Sequence, residues 1–242
     1  MRRLLLPFTL LLLALPLAAC GGTAQLSALD PVAQAANKTT DVAGARFELS
    51  ARVTALGRRL AISGHGELAD HGRKAHVLLT VPGSSSPIEA VAADSTVYVR
   101  GGPVDAVAHG KWVRVQANDP AFNLAQADPA KLLDTLRSSS KIQKRGSVTI
   151  RGVPTTHYVA RVRLDKLAQN LSPGDRRALK QAGKRQIPVD VWVDAQGLVR
   201  RVKVDARPVA ATLDLFDFGD VTVQVPPASD TTDLSSLMGG GG

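Results

Sequence analysis

A single cysteine, Cys20, among 242 residues leaves no partner for a disulfide within the chain. Stability must then come from buried apolar side chains rather than covalent cross-links. Zinc-deaminase chemistry goes with it. His65-Gly66-Glu67 matches the His-x-Glu half of that signature, but the Pro-Cys-x-x-Cys half is missing. His65, His71 and His76 follow no standard zinc spacing, so no metal and no cofactor are expected. Aromatic residues make up only 4%, and Lys and Arg are scattered rather than clustered, which argues against a nucleic-acid partner.

Catalytic motifs are also lacking. There is no phosphate loop and no dinucleotide fingerprint. His157 has no serine on a sharp Gly-x-Ser-x-Gly turn to serve, so a structural role is expected for it. Ser138-Ser139-Ser140-Lys141 matches Ser-x-x-Lys, yet it follows an expected helix end instead of opening a helix. No nucleophile, base and orienting group can be assembled, and the chain is not expected to be an enzyme.

What is present at the start is informative. Arg2 and Arg3 precede an apolar run from Leu4 to Leu15, and the run leads to Leu17-Ala18-Ala19-Cys20. Charge, apolar core and small residues in that order make a secretory signal over residues 1–19. The run is short of the roughly 20 residues that cross a bilayer comfortably. Leu-Ala-Ala-Cys is similar to the lipobox of bacterial lipoproteins, which implies diacylglycerylation of Cys20 (palmitate among the acyl groups), cleavage before it, and a membrane anchor on the extracytoplasmic face. The alternative is an ordinary signal peptide with a chance cysteine. Removing residues 1–19 from 242 leaves 223, enough for one large domain or two small ones. The formal charge falls from +9 to +7 without Arg2 and Arg3. A basic exterior suits anionic headgroups or acidic wall polymers, or is simply a solvated surface.

Residues 20–24 read as a lipidated N-terminus and spacer, 25–226 as one domain, and 227–242 as a flexible tail ending in four glycines. Within the domain, Gln25 to Asn37 suggests a short helix. Phe47, Leu49, Ala51 and Val53 then alternate with Arg46, Glu48, Ser50 and Arg52, the pattern of a half-buried strand. Further strands are expected from Leu60, at Ala75–Val81, Ile88–Ala92, Thr96–Arg100, Lys111–Val115, Ser147–Ile150, Thr155–Leu164, Ile187–Asp194, Leu198–Asp205 and Thr212–Phe218. Asp128-Pro129 opens a helix with Leu132, Leu133 and Leu136 on one stripe, and 165–180 reads as helical. About ten strands in one sheet must curl or close. The expected class is α+β: a large curved antiparallel sheet, or half-barrel, with helices packed over its concave face.

Inward-facing positions of such a sheet are Phe47, Leu49, Val53, Leu60, Ile62, Val97, Val99, Val189, Val191, Val202 and Val204. They would line an apolar cavity or fill a dense core. Small side chains and only five Phe, two Trp and two Tyr lean toward a cavity. Trp112 and Trp192 are sheet anchors or sugar platforms.

Several phrases together resemble the LppX/LprG-type lipoproteins of actinobacteria. They are Gly110-Lys111-Trp112-Val113, Arg151-Gly152-Val153-Pro154-Thr155-Thr156-His157-Tyr158, the stretch from Val189 through Trp192 to Arg201, and Phe216-Asp217-Phe218-Gly219-Asp220. The resemblance runs from about Asn37 to Ala228. It implies a fold like that of the LolA/LolB carriers, with a lid of helices over an apolar cavity. It also implies binding of lipid or acylated glycolipid and its movement across the cell envelope. An envelope sensor acting through a protein partner is the alternative the same fold implies.

Overall fold

A computed structural model of the chain describes residues 30–55, 58–116, 133, 136–137, 140–163, 186–206 and 209–239. The expected signal peptide, Cys20 and most of the two expected helices at 128–136 and 165–180 lie outside the described residues.

Twelve strands form one open sheet. In chain order they are β1 Ala45–Ala55, β2 Arg58–Ala69, β3 Lys74–Thr80, β4 Ile88–Ala93, β5 Thr96–Gly101, β6 Trp112–Gln116, β7 Ser140–Ile150, β8 Val153–Arg163, β9 Gln186–Asp194, β10 Val199–Ala206, β11 Val209–Phe216 and β12 Thr231–Asp233. The spatial order is β12-β6-β5-β4-β3-β2-β1-β11-β10-β9-β8-β7. Every neighbouring pair is antiparallel except β12 on β6. The curved antiparallel sheet expected from the alternation is therefore present, as two meanders joined through β1 and β11.

Short turns set the registers. Arg151 and Gly152 both have positive φ, 49° and 81°, as the type I′ turn between β7 and β8 requires. At the β9–β10 turn, Gly197 supplies a φ of 79° while Asp194 Oδ1 accepts the Leu198 N–H at 2.8 Å. On β2, Gly64 and Gly66 face the same side as Leu49 and Phe47 of β1. A Cβ on Gly66 would lie 1.9 Å from the His76 carbonyl oxygen and 2.9 Å from the Phe47 ring, so the missing side chain is what lets the strands close up here.

The helix expected at Gln25–Asn37 is α1, Pro31–Thr40. Pro31 occupies the first turn and Asp30 caps it, accepting the Val32 and Ala33 N–H groups at 2.9 and 3.1 Å. Val32, Ala35, Ala36 and Thr39 are the buried side of α1, which rests on β9 and β10. Leu133 and Leu136, both helical, bury beside it against Phe47, Leu213, Leu215, Val191 and Val202. A helical covering of the centre of the sheet, as expected from 165–180, falls outside the described residues.

Two expectations need correction. β7 begins at Ser140, not Ser147, and has register shifts between Ser140 and Gln143 and between Lys144 and Gly146. It is an edge strand exposed at most positions, so it carries no apolar alternation to read. Of residues 227–242, expected as a flexible tail, the described part through Gly239 lies instead along the opposite edge. A 3₁₀ turn at Ala228–Asp230 leads into β12 and then α2′, the helix Leu234–Gly239, whose Leu234 and Leu237 pack on Val97, Val99, Val113 and Val115. Arg114 of β6 fixes β12 with a bidentate pair to Asp233, at 2.7 and 2.9 Å. On its way from β11 the chain buries Val223 against Ala69, Val91 and Trp112 on the outer face.

Candidate functional site

Residues directly opposite in neighbouring strands point to the same side of a sheet. Following the registers outward from β1, Phe47 faces Leu215 and Gly66, Leu49 faces Leu213 and Gly64, and Val53 faces Val209 and Leu60. Leu213 leads to Val202 and Val191, and Ala211 to Val204 and Val189. In the other direction, Leu68 leads to Ala75, Ala92 and Val97, and Val77 leads through Ala90 to Val99. All eleven expected positions share one face by register. Alternation had already separated inside from outside on each strand, and pairing joins the strands into a single apolar surface.

Burial divides that surface. Phe47, Val189, Val191 and Val202 belong to a packed cluster beneath α1, Leu133 and Leu136. The hollow left at the α1 end, between Thr39, Ala45, Leu68, Leu133 and Leu215, has a volume of only about 10 Å³, room for one water. Val97 and Val99 lie in the second cluster, with Val104, Ala108, Val113 and Val115. Between the clusters, Leu49, Ala51, Ile62 and Ala211 are half-buried, and Leu60 is 40% exposed. Val204 is half-buried at the border of the first cluster. For Val53 the structure gives the register position alone. The central strip, Leu49 and Ala51 on β1 with Leu60 and Ile62 on β2, is thus the part of the apolar face that belongs to neither packed cluster.

The opposite face is polar and strongly paired. Arg201 forms a bidentate pair with Asp214, at 2.5 and 2.6 Å, and this hydrogen bonding holds its guanidinium above the usual arginine range. Trp192 lies in the same cross-strand row, stacked on His157 at 4.5 Å with 6° between the rings. His157 Nε2 is 2.7 Å from Asp190 Oδ1. These contacts tie His157 to Trp192 and Asp190 across β8 and β9. Trp112 is buried under the Arg100 guanidinium, 4.5 Å from its ring centroid. Arg100 also donates to Glu89, which with Glu67 flanks the His76 ring at 2.9 and 3.0 Å. Burial pushes the Glu89 carboxyl up, but hydrogen bonds from Arg100 and His76 outweigh it and hold it below the usual range. Among the described residues, no group of three or more His, Cys, Asp or Glu could hold a metal ion, and no helix is long and apolar enough to cross a membrane.

Comparison with solved structures follows this geometry. The lipoprotein LppX of Mycobacterium tuberculosis superposes with a TM-score of 0.55 over 82% of this chain and 97% of its own, at 14% identity. LprF from Mycobacterium bovis gives 0.53 over 83% and 96%, also at 14% identity. The chain has the LppX fold. More than four-fifths of this chain is covered in each case, so the likeness is not confined to one half of the chain. No family model matches the chain. A Streptomyces griseus protein described as an uncharacterized 31.2 kDa protein in the rplA-rplJ intergenic region is 30% identical over 131 residues. The match takes in 49% of this chain and 43% of that protein, so the chain spans less than half the length of this curated relative.

Several positions of the apolar face were not singled out from sequence: Leu213 and Leu215 of β11, Val113 and Val115 of β6, and Val77 and Leu79 of β3. Period-two alternation marks Leu213-Asp214-Leu215 and Val113-Arg114-Val115 as well as it marks β1, and was the available signal.

Proposed function

We propose that the chain is an exported lipoprotein, anchored through Cys20, that binds the acyl chains of a lipid or acylated glycolipid on the apolar face and carries or presents it across the cell envelope. The observation that carries this reading is the strip between the two packed clusters. Leu49, Ala51, Ile62 and Ala211 are apolar, share one face by register, are half-buried, and belong to neither packed cluster. A half-buried apolar surface of this kind suits a hydrocarbon chain, at about 0.8 kcal/mol for each CH₂ removed from water. Lipid transfer needs only that surface and an opening, with no catalytic group. The LppX fold supports the reading because LppX is itself a lipoprotein.

The test is native mass spectrometry with organic extraction of the protein purified from its own host. A lipid of defined mass bound in about stoichiometric amount is expected. A folded protein with no adduct and nothing in the extract would overturn the lipid-binding function and favour action through a protein partner.

A further inference from the structure

The two ends of the sheet differ in charge. At the end where β1 finishes and β2 begins, the exposed side chains include Arg52, Arg59, Lys203 and, further along the rim, Lys141. None of these four has an ion-pair partner among the described residues. Among the described residues the acids on this stretch are Asp205 and Asp190, and Asp190 is bonded to His157. The other end, where β1 begins, carries Asp41, Asp70, Asp94, Asp217 and Asp220, interspersed with paired bases such as Lys74 on Asp70 and Arg46 on Asp217.

The apolar strip reaches solvent at the basic end. Leu60, its outermost described member, is 40% exposed and is followed on the adjacent position by Arg59. Beside it, on the outer side of the sheet, Arg52, Lys203 and Asp205 flank a trough floored by Ser50, Ser63 and Thr212, with a volume of about 270 Å³. Unpaired cations at the rim of an apolar surface match the layering of a bilayer, phosphate outside and hydrocarbon beneath.

We propose that this rim docks on an anionic phospholipid surface, so that the apolar strip opens directly toward the membrane. The inference deepens the lipid-carrier reading by fixing where cargo would enter and leave. A wall polymer would find the same cations but would have no use for the apolar edge between them. Each Lys or Arg brought near an anionic leaflet strengthens binding roughly fivefold, and salt screens the effect.

The experiment is sedimentation with vesicles, using the chain from Thr23 onward, which retains every described element and lacks Cys20. Vesicles of phosphatidylcholine alone are compared with vesicles containing phosphatidylglycerol, at low and high salt. Preferential, salt-sensitive binding to the anionic vesicles is expected. The double variant Arg52→Glu/Arg59→Glu is expected to bind at least about 20-fold more weakly. Lys38→Glu/Arg73→Glu, the same charge change at the other end, is expected to bind nearly as the parent does. Circular dichroism establishes that each variant is folded. Equal binding to both vesicle types, or equal loss in both double variants, would overturn the docking surface. Lipid found in the extraction experiment together with either of those results would leave the carrier function standing and remove this surface from it.

Discussion

Thr39 shows how one hydroxyl can join a helix to the sheet. Its Oγ1 donates to the Ala35 carbonyl at 2.7 Å and accepts the Val199 N–H at 2.8 Å, at the irregular start of β10. Both it and Val199 are buried, so Thr39→Val leaves that N–H unpaired. A loss of about 1–3 kcal/mol is expected, read as a lower midpoint in urea at unchanged slope. An unchanged midpoint would mean that water replaces the hydroxyl. Glu89 gives a pH-dependent case. Its folded pKa lies below the ordinary value of 4.5. Its contribution is therefore complete above that value and is lost as pH falls through the lower folded one. In Glu89→Gln, acid unfolding should lose its dependence on this group, and the stability gap to the parent should narrow as pH drops below about 4. A gap constant from pH 7 to pH 3 would contradict the assignment.

At the scale of elements, the C-terminal stretch is informative because composition misleads there. Pro226-Pro227, short polar residues and terminal glycines suggest a mobile end. What holds the segment is sparse: three residues of β12, the Arg114–Asp233 pair, and Leu234 with Leu237 one helical turn apart. Ending the chain after Pro226 should expose the cluster around Val113 and Val115 and lower Tm by roughly 5–15 °C, from about 2–4 kcal/mol of lost burial. An unchanged Tm would return the segment to the status of a tail. The elements that were legible from sequence are those with one wet and one dry face. β1 and β9 alternate without interruption, and their bounds agree with expectation to within a few residues. β7 was half missed because an edge strand exposed on both faces from Gln143 through Thr149 leaves no pattern. The eleven candidate positions were assigned strand by strand, yet only the registers show that they share a face. Only burial separates Leu49 and Ile62, in the strip, from Phe47 and Val191, in packed core. Sequence alternation records which side a residue faces, not what is laid over it.

The whole molecule is a single open sheet with its apolar side gripped at two places. Under α1 and beneath Leu234 and Leu237 the packing is dense, and the interval between them has the partial burial that a transient hydrophobic occupant needs. At Gly64 and Gly66 a Cβ would meet Leu79 and the His76 carbonyl oxygen, so the apolar face crosses β2 without side chains at these two positions. Gathering the unpaired cations at the end where the strip emerges gives the molecule a direction. With the proposed lipid on Cys20, residues 20–29 would span at most about 35 Å between the anchor and Asp30.

The proposed lipid site is the strip between the clusters. The most direct test is lipid occupancy of Leu49→Asp and Ile62→Asp, each compared with the parent by native mass spectrometry and extraction from the same host. A carboxylate on that surface would have to be buried by an acyl chain, at a cost of several kcal/mol. Both variants are expected to remain folded by circular dichroism and to lose the bound lipid almost completely. Folded variants that retain the parent's full lipid load would contradict the account and place the ligand elsewhere.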